Sequence, residues 1–253
     1  MPRALQPLAS PVLWVAALFV GLLTGMPALR PIFARAFPGV RPPVFARASF
    51  VELWLSHAGL VGVASGAAIV IGVGLAIFVT RPAGRDFRPL VSTLATVGQT
   101  FPPAAVLALA VPALGFGPRP TVVALFLYGI LPVLENAIAG LEGVSPAVRD
   151  AARGMGLSAW QMLRDVELPL ALPAILAGMR LSVTIAIGTA TIGSTVGALT
   201  LGTPIFDGLA GNKLPYVIQG AVLVALFAIL TDMIFARLER RLRHPGGGAR
   251  GDA

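Results

Sequence analysis

The sequence contains no cysteine, which excludes a disulfide, a thiolate nucleophile and a cysteine-ligated metal. Its two histidines, His57 and His244, are isolated from each other and give no metal-ligand spacing. Charge is scarce: 12% of residues are charged, against about a quarter in a soluble domain. Lys213 is the single lysine. It stands in GNKLP, which is not a G-x-x-x-x-G-K-[ST] phosphate loop, and no such loop occurs elsewhere. The chain therefore offers no loop of that kind for binding ATP.

What is present is apolar. The 253 residues are 56% hydrophobic, with a mean hydropathy of +0.85. Several uninterrupted runs approach or exceed the roughly 20 residues that cross a hydrocarbon core as a helix. The short alternating segments of a β-barrel are missing. These features define an all-α integral membrane protein. The net charge of +8 does not indicate nucleic acid, because the arginines sit mostly at the ends of apolar runs, where they set orientation.

The first apolar run is about Val12–Leu29, behind a start carrying Arg3. Its shape is that of a signal peptide, but the run is long for one and no clean A-x-A site follows, so a retained span is expected. Residues 30–47, RPIFARAFPGVRPPVFAR, have no regular period and read as an extended loop. The second span is expected at about Ser56–Thr80, with Gly62 and Gly66 spaced as GxxxG for close helix approach. The third run, Pro89–Leu114, is interrupted at Pro102-Pro103, which free carbonyls that neighbours must satisfy. A fourth span is expected at about Thr121–Ala139, a fifth at Ala174–Leu199 and a sixth at Tyr216–Ala236, with a turn-rich loop, TLGTPIFDGLAGNKLP, before the last.

Six spans put both ends of the chain on one side. That side collects twelve basic residues against six on the other, leaving out Arg180, which makes it cytoplasmic. Arg30, Arg35, Arg41 and Arg47 in the first loop run against this count.

The longest polar interruption, Leu141–Pro173, then lies in the cytoplasm. Ser145-Pro146 is a helix start, and Val148, Ala151, Ala152 and Met155 follow at helical spacing. Gly154 and Gly156 end that helix. Ser158 with Gln161 forms a capping-box pattern for another, expected to stop at Pro169 and Pro173. Such a pair of short helices suits docking in a groove or resting on the membrane surface, and the spacing alone does not choose between them.

Residues 150–169 resemble the EAA loop of bacterial ABC-transporter permeases: EAA, three residues, G, nine residues, I-x-L-P. Asp150-Ala151-Ala152 stand for EAA, Gly156 is the glycine, and Val166-Glu167-Leu168-Pro169 is the I-x-L-P end. Asp for Glu and Val for Ile are mild departures. The surrounding stretches, QTFPPAAVLALAVPALGFGPRPTVVALFLYGILPVLENAIAGL and VELPLALPAILAGMR followed by IAIGTATIG, are similar to permeases that import glycine betaine, choline and related osmoprotectants.

The resemblance implies the binding-protein-dependent permease fold: about six transmembrane helices with a cytoplasmic coupling loop in the inner membrane. It divides the chain into residues 1–55 (first span and basic loop), 56–241 (permease domain) and 242–253 (polar tail). It implies a subunit that does no chemistry and carries no cofactor. Its partners would be a cytoplasmic ATPase that binds the ATP, an extracytoplasmic binding protein, a second permease, identical or paralogous, and the membrane lipid around the spans. The coupling residues would be Pro146, Val148, Asp150, Ala151, Ala152, Gly156, Val166, Leu168 and Pro169.

Gln99, Thr100 and Phe101, and Thr189, Thr191 and Ser194, are candidates to line a path, since polar side chains facing a cavity cost less than ones facing lipid. Hydroxyls in spans also bond simply to helix backbone. Glu135 and Asp232, near cytoplasmic span ends, are expected to anchor at the interface or pair with arginine, and His57 to be interfacial. Other readings are an ABC permease for methionine or a sulfonate, an ion-coupled secondary transporter and a structural scaffold. A secondary transporter commonly shows inverted repeats and midplane charges, neither of which is clear here.

Overall fold

The computed structural model describes residues 11–243, and every regular element among them is a helix. The elements are α1 (Pro11–Gly25), a 3-10 turn (Met26–Leu29), α2 (Arg30–Ala36), α3 (Phe50–Val79), α4 (Arg88–Thr100), α5 (Pro103–Leu114) and α6 (Pro118–Glu142). They continue with α7 (Pro146–Gly154), α8 (Ala159–Gln161), a π-helical turn (Met162–Glu167) and α9 (Leu168–Ala190). A 3-10 turn (Ile192–Val196), α10 (Thr203–Ala210) and α11 (Leu214–Arg243) complete the order. Arg3, His244 and the polar tail beyond it lie outside the described residues.

Among the described residues, five helical stretches are long and apolar enough to cross a membrane: Pro11–Ala36, α3, α6, Ala159–Ala190 and Leu214–Leu242 of α11. The broken pair α4 and α5 makes a sixth if counted as one span. The break falls at Phe101-Pro102, where Pro102 is extended and Pro103 opens α5, as a proline tolerated at the first turn should.

Several elements differ from the sequence expectation. Residues 30–36 are helical rather than extended, because Pro27 and Pro31 sit at the first positions of their turns, where a missing N–H costs nothing. α3 begins at Phe50, six residues before the expected Ser56: Ser49 Oγ accepts from Glu52 N at 3.1 Å, the start of a capping arrangement. The turn-rich loop holds α10, opened by Pro204 near its start and by Thr203 Oγ accepting from Thr200 N at 3.1 Å.

Pro169 and Pro173 do not stop a helix; the chain runs helically from Ala159 to Ala190. In a regular helix the Pro169 ring would strike the carbonyl four residues back. Here that carbonyl, on Asp165, lies in the π-helical turn, whose wider ladder has Leu168 N–H bonding Leu163 O. The second short helix of the polar segment is therefore the beginning of a long one.

The chain forms two compact units, one from residues up to Ala64, Phe101–Phe126 and Thr184–Ile234, the other from Ser65–Thr100, Leu127–Val183 and the chain from Phe235. In the first unit, α1 enters the core. Phe19 stacks on Phe227 at 5.9 Å and meets the edge of Trp54 at 5.9 Å, beside buried Leu23, Phe45, Leu53 and Leu223. The loop before α3 is clamped to α11. Gln219 Nε2 donates to Pro43 O at 2.8 Å and its Oε1 accepts from Phe45 N at 3.0 Å. Tyr216 Oη donates to Pro42 O at 3.0 Å, and Arg47 pairs with Asp207 at 2.5 Å.

His57 is fully buried rather than interfacial. Its Nδ1 accepts from Leu201 N at 3.2 Å, so Nε2 carries the proton it gives Ile187 O at 3.1 Å. It ties together backbone groups that the end of α9 and the following turns leave unpaired.

In the second unit, close helix approach rests on glycine. A Cβ on Gly178 of α9 would lie 2.7 Å from Pro132 O and from Asn136 Cβ of α6. One on Gly140 would lie 2.9 Å from Ala174 Cβ. Gly62 and Gly66, the GxxxG pair, have no atom within 4 Å of such a Cβ, so within this chain that spacing brings no helix close.

Candidate functional site: an exposed loop and its anchor

The nine residues expected to couple all fall in the second unit: on α7, at Gly156 in the turn that follows it, on the π-helical turn and on the first turn of α9. Pro146 takes the first helical position, and Ser145 is extended ahead of it. Val148, Ala151 and Met155 are exposed, Met155 at 72%. They form an outward apolar stripe, while Ala152 turns inward and is buried. Asp150 is exposed and pairs with Arg153 at 2.9 Å. The adjacent alanines are thus divided: one packs the unit, the other is open to a partner.

Gly156 has φ +81°, a left-handed conformation that a residue with a Cβ adopts only at a cost. It reverses the chain between α7 and Ser158. There the capping box forms in full: Ser158 Oγ accepts from Gln161 N at 3.3 Å, and Gln161 Oε1 accepts from Ser158 N at 2.9 Å. Trp160 on α8 is also 66% exposed. Val166 and Leu168 are half-buried and Pro169 is exposed.

The residue that holds this loop is Glu167, which sequence reasoning passed over as the variable position of I-x-L-P. It is 3% exposed. One carboxylate oxygen accepts from the Arg81 guanidinium, after α3, and the other lies 3.0 Å from Arg149 Nε on α7. Arg149 also donates to Leu141 O, at the end of α6, at 2.5 Å. The buried carboxylate therefore ties α7 to the π-helical turn and to Arg81 beyond the end of α3, and Arg149 itself adds the link to α6. The signal available in sequence was an acid between Val166 and Leu168 in a segment that carries Arg149, Arg153 and Arg164 ahead of it; its geometry was not readable. At the rim, Arg88 pairs with Glu142, both partly exposed. Glu135, expected to anchor at the interface or pair with arginine, accepts from Ser92 Oγ at 2.8 Å.

The path candidates divide between the units. In the second, Gln99 Nε2 donates to Tyr128 O at 2.5 Å, and Thr100 Oγ1 to Val97 O at 2.8 Å. In the first, Phe101 is 48% exposed, Thr191 Oγ1 donates to Gly188 O at 2.6 Å and Ser194 Oγ to Thr191 O at 2.8 Å. Thr189 is half-buried. Thr100, Thr191 and Ser194 thus bond to carbonyls three residues back in their own helix or turn, and Gln99 to one on α6. Gly193 meets Thr121 at 2.5 Å from a would-be Cβ, and Gly117 N donates to Val196 O at 2.6 Å.

The described residues thus hold five or six stretches able to cross a membrane and, between two of them, one anchored helix with an exposed apolar stripe. Residues 68–244 match the family described as "Binding-protein-dependent transport system inner membrane component", and the chain belongs to that family. It is an inner-membrane, multi-pass permease of the ABC type, not an enzyme, and it works with an ATPase and a binding protein.

Among its relatives is the osmoprotectant import permease protein OsmY of Salmonella typhimurium, 43% identical over 175 residues, covering 69% of this chain and 74% of that one. The glycine betaine/carnitine/choline transport system permease protein OpuCB of Bacillus subtilis is 39% identical over 178 residues, covering 70% and 81%. The inward-facing MetNI methionine ABC transporter has a chain that superposes with TM-score 0.68 at 22% identity, covering 76% of this chain and 95% of that one, which establishes the shared fold.

Proposed function

We propose that this permease imports osmoprotectants of the quaternary-amine class, such as glycine betaine, choline and carnitine. The observation that carries the reading is the identity of 43% and 39% to permeases named for those solutes. Two copies, or this chain and a paralogue, would enclose the path, with one ATPase on each. α7 seats its outward stripe of Val148, Ala151 and Met155 in a cleft of the ATPase. Pro146 and Asp150 shape and charge the start of that helix, and Ala152 packs it inward. Gly156 makes the reversal, and Val166, Leu168 and Pro169 carry the movement into α9. Closure of the ATPase pair then reaches the spans as a rigid-body rotation.

Along the path, Gln99, Thr100, Phe101, Thr189, Thr191 and Ser194 present short polar groups and one aromatic face. High-affinity selection belongs to the binding protein, since an aromatic cage for a quaternary ammonium is not assembled by these residues.

Growth at high salt tests the substrate class. A strain lacking its own osmoprotectant uptake, given this chain with its ATPase and binding protein, should be rescued by glycine betaine, choline or carnitine. Rescue by none of them, with all three proteins in the membrane fraction, would remove this class of solute.

A further inference from the structure

We infer that the first unit carries a binding site for an anionic phospholipid of the outer leaflet, built from the end of α1, the start of α2 and the loop before α3. Two cavities adjoin there. One, of about 590 Å³, is walled by Leu23, Val44, Phe45, Phe50 and Val51. The other, of about 450 Å³, is lined by Arg41 with Ala34, Pro38, Val40 and Pro43. Arg30 and Pro42 line both. An apolar chamber thus opens beside one with two guanidinium groups, and no carboxylate lines either. Among the described residues neither Arg30 nor Arg41 has an ion-pair partner, whereas Arg47 on the same loop is neutralised by Asp207.

The vertical order matches a lipid. Arg30 follows the apolar run of α1, at the level where a span meets the headgroups. Leu23 lies two helical turns deeper, roughly 10 Å into the hydrocarbon. A phosphate at Arg30 and Arg41 would receive the forked donors that guanidinium groups offer, and the acyl chain leaving it would descend along Leu23 and Phe45. A soluble anion would use only the upper chamber. A docked protein would have to fill an apolar slot that faces lipid.

The site forms on a rigid frame: Gln219 and Tyr216 hold Pro42, Pro43 and Phe45 by their backbone. The occupant therefore finds the chamber walls already placed.

The absence of cysteine makes a site-specific probe possible. Ala48, half-buried in the apolar chamber's lining, is replaced by cysteine in the full-length chain and labelled with a small fluorophore. The chain is assembled with its ATPase in nanodiscs containing phosphatidylcholine with brominated chains, or phosphatidylglycerol with brominated chains at the same fraction. The brominated phosphatidylglycerol should occupy the site with roughly tenfold preference at low salt, seen as stronger quenching. Arg30→Gln with Arg41→Gln should bring the two lipids to parity, and Arg41→Gln alone should reduce the preference if the double variant fails to assemble. Arg35→Gln, outside both linings, should leave it intact. Equal quenching by both lipids in the parent chain would overturn the proposal by showing no selectivity for an anionic headgroup, and an equal loss in Arg35→Gln would overturn it in favour of general surface charge. Absence of quenching by either lipid would overturn it in favour of a protein cover.

Discussion

Replacing Glu167 by glutamine removes one charge and keeps the shape, and its effect can be worked from the contacts. The carboxylate is buried and serves Arg81 and Arg149, whose side chains are 30% and 28% exposed. Removing one member of a fully buried ion pair costs about 3–5 kcal/mol, but these guanidinium groups retain some water, so the figure must be discounted. The amide oxygen still accepts one bond. A loss of about 2–3 kcal/mol in the docking of α7 follows, or roughly 30- to 150-fold in its local opening equilibrium.

Hydrogen exchange of the α7 amides in nanodiscs reads that equilibrium directly. Exchange in α7 should rise by about that factor in Glu167→Gln, while exchange in α3 before Ala64 should not change. Glu142→Gln, which breaks the partly exposed pair with Arg88, should move exchange by fivefold at most, since such pairs contribute about 0–1 kcal/mol. Unchanged exchange across Pro146–Gly154 in Glu167→Gln would refute the claim that this carboxylate fastens the helix.

Other substitutions follow from the same structure. Gly156→Ala meets no atom but must hold φ +81°, so it should cost about 1–2 kcal/mol and lower coupled uptake, with Gly156→Asn milder; ATPase co-purification and uptake measure it, and an Ala variant with full uptake would contradict the reversal. His57→Phe leaves Leu201 N and Ile187 O without their partner, about 1–3 kcal/mol each, and should lower the thermal inactivation midpoint without altering ATPase association. Gly178→Ala places a Cβ 2.7 Å from the α6 backbone and should destabilise by about 1–3 kcal/mol, read as reduced membrane-inserted, detergent-stable protein.

The sequence showed the elements whose signals are local. The break at Pro102-Pro103 and the capping box of Ser158 and Gln161 depend on residues within one turn of each other, and both are present as expected. The start of α3 is equally local, in Ser49-Phe50-Val51-Glu52, but it lies ahead of the apolar run that begins near Ser56. Pro169 and Pro173 carry the signal of a helix stop because a proline breaks a regular helix, and the sequence does not announce a π-helical turn that makes room for one. Glu167, to which the sequence assigns no role, and His57, expected at the interface, differ for another reason. Each acts on groups far away in the chain: Arg81 is 86 residues from Glu167, and Leu201 144 from His57. A buried carboxylate with two arginines and an exposed acid at an interface look alike in one dimension.

The central claim is that ATP hydrolysis in a partner chain, passed through α7, drives osmoprotectant import by this permease. The direct measurement is uptake of radiolabelled glycine betaine by proteoliposomes holding this chain and its ATPase, with binding protein outside and ATP sealed inside. Accumulation against a gradient that needs hydrolysable ATP, persists when proton and sodium gradients are collapsed, and falls in Glu167→Gln is the predicted result. Accumulation driven by an ion gradient without ATP would contradict it.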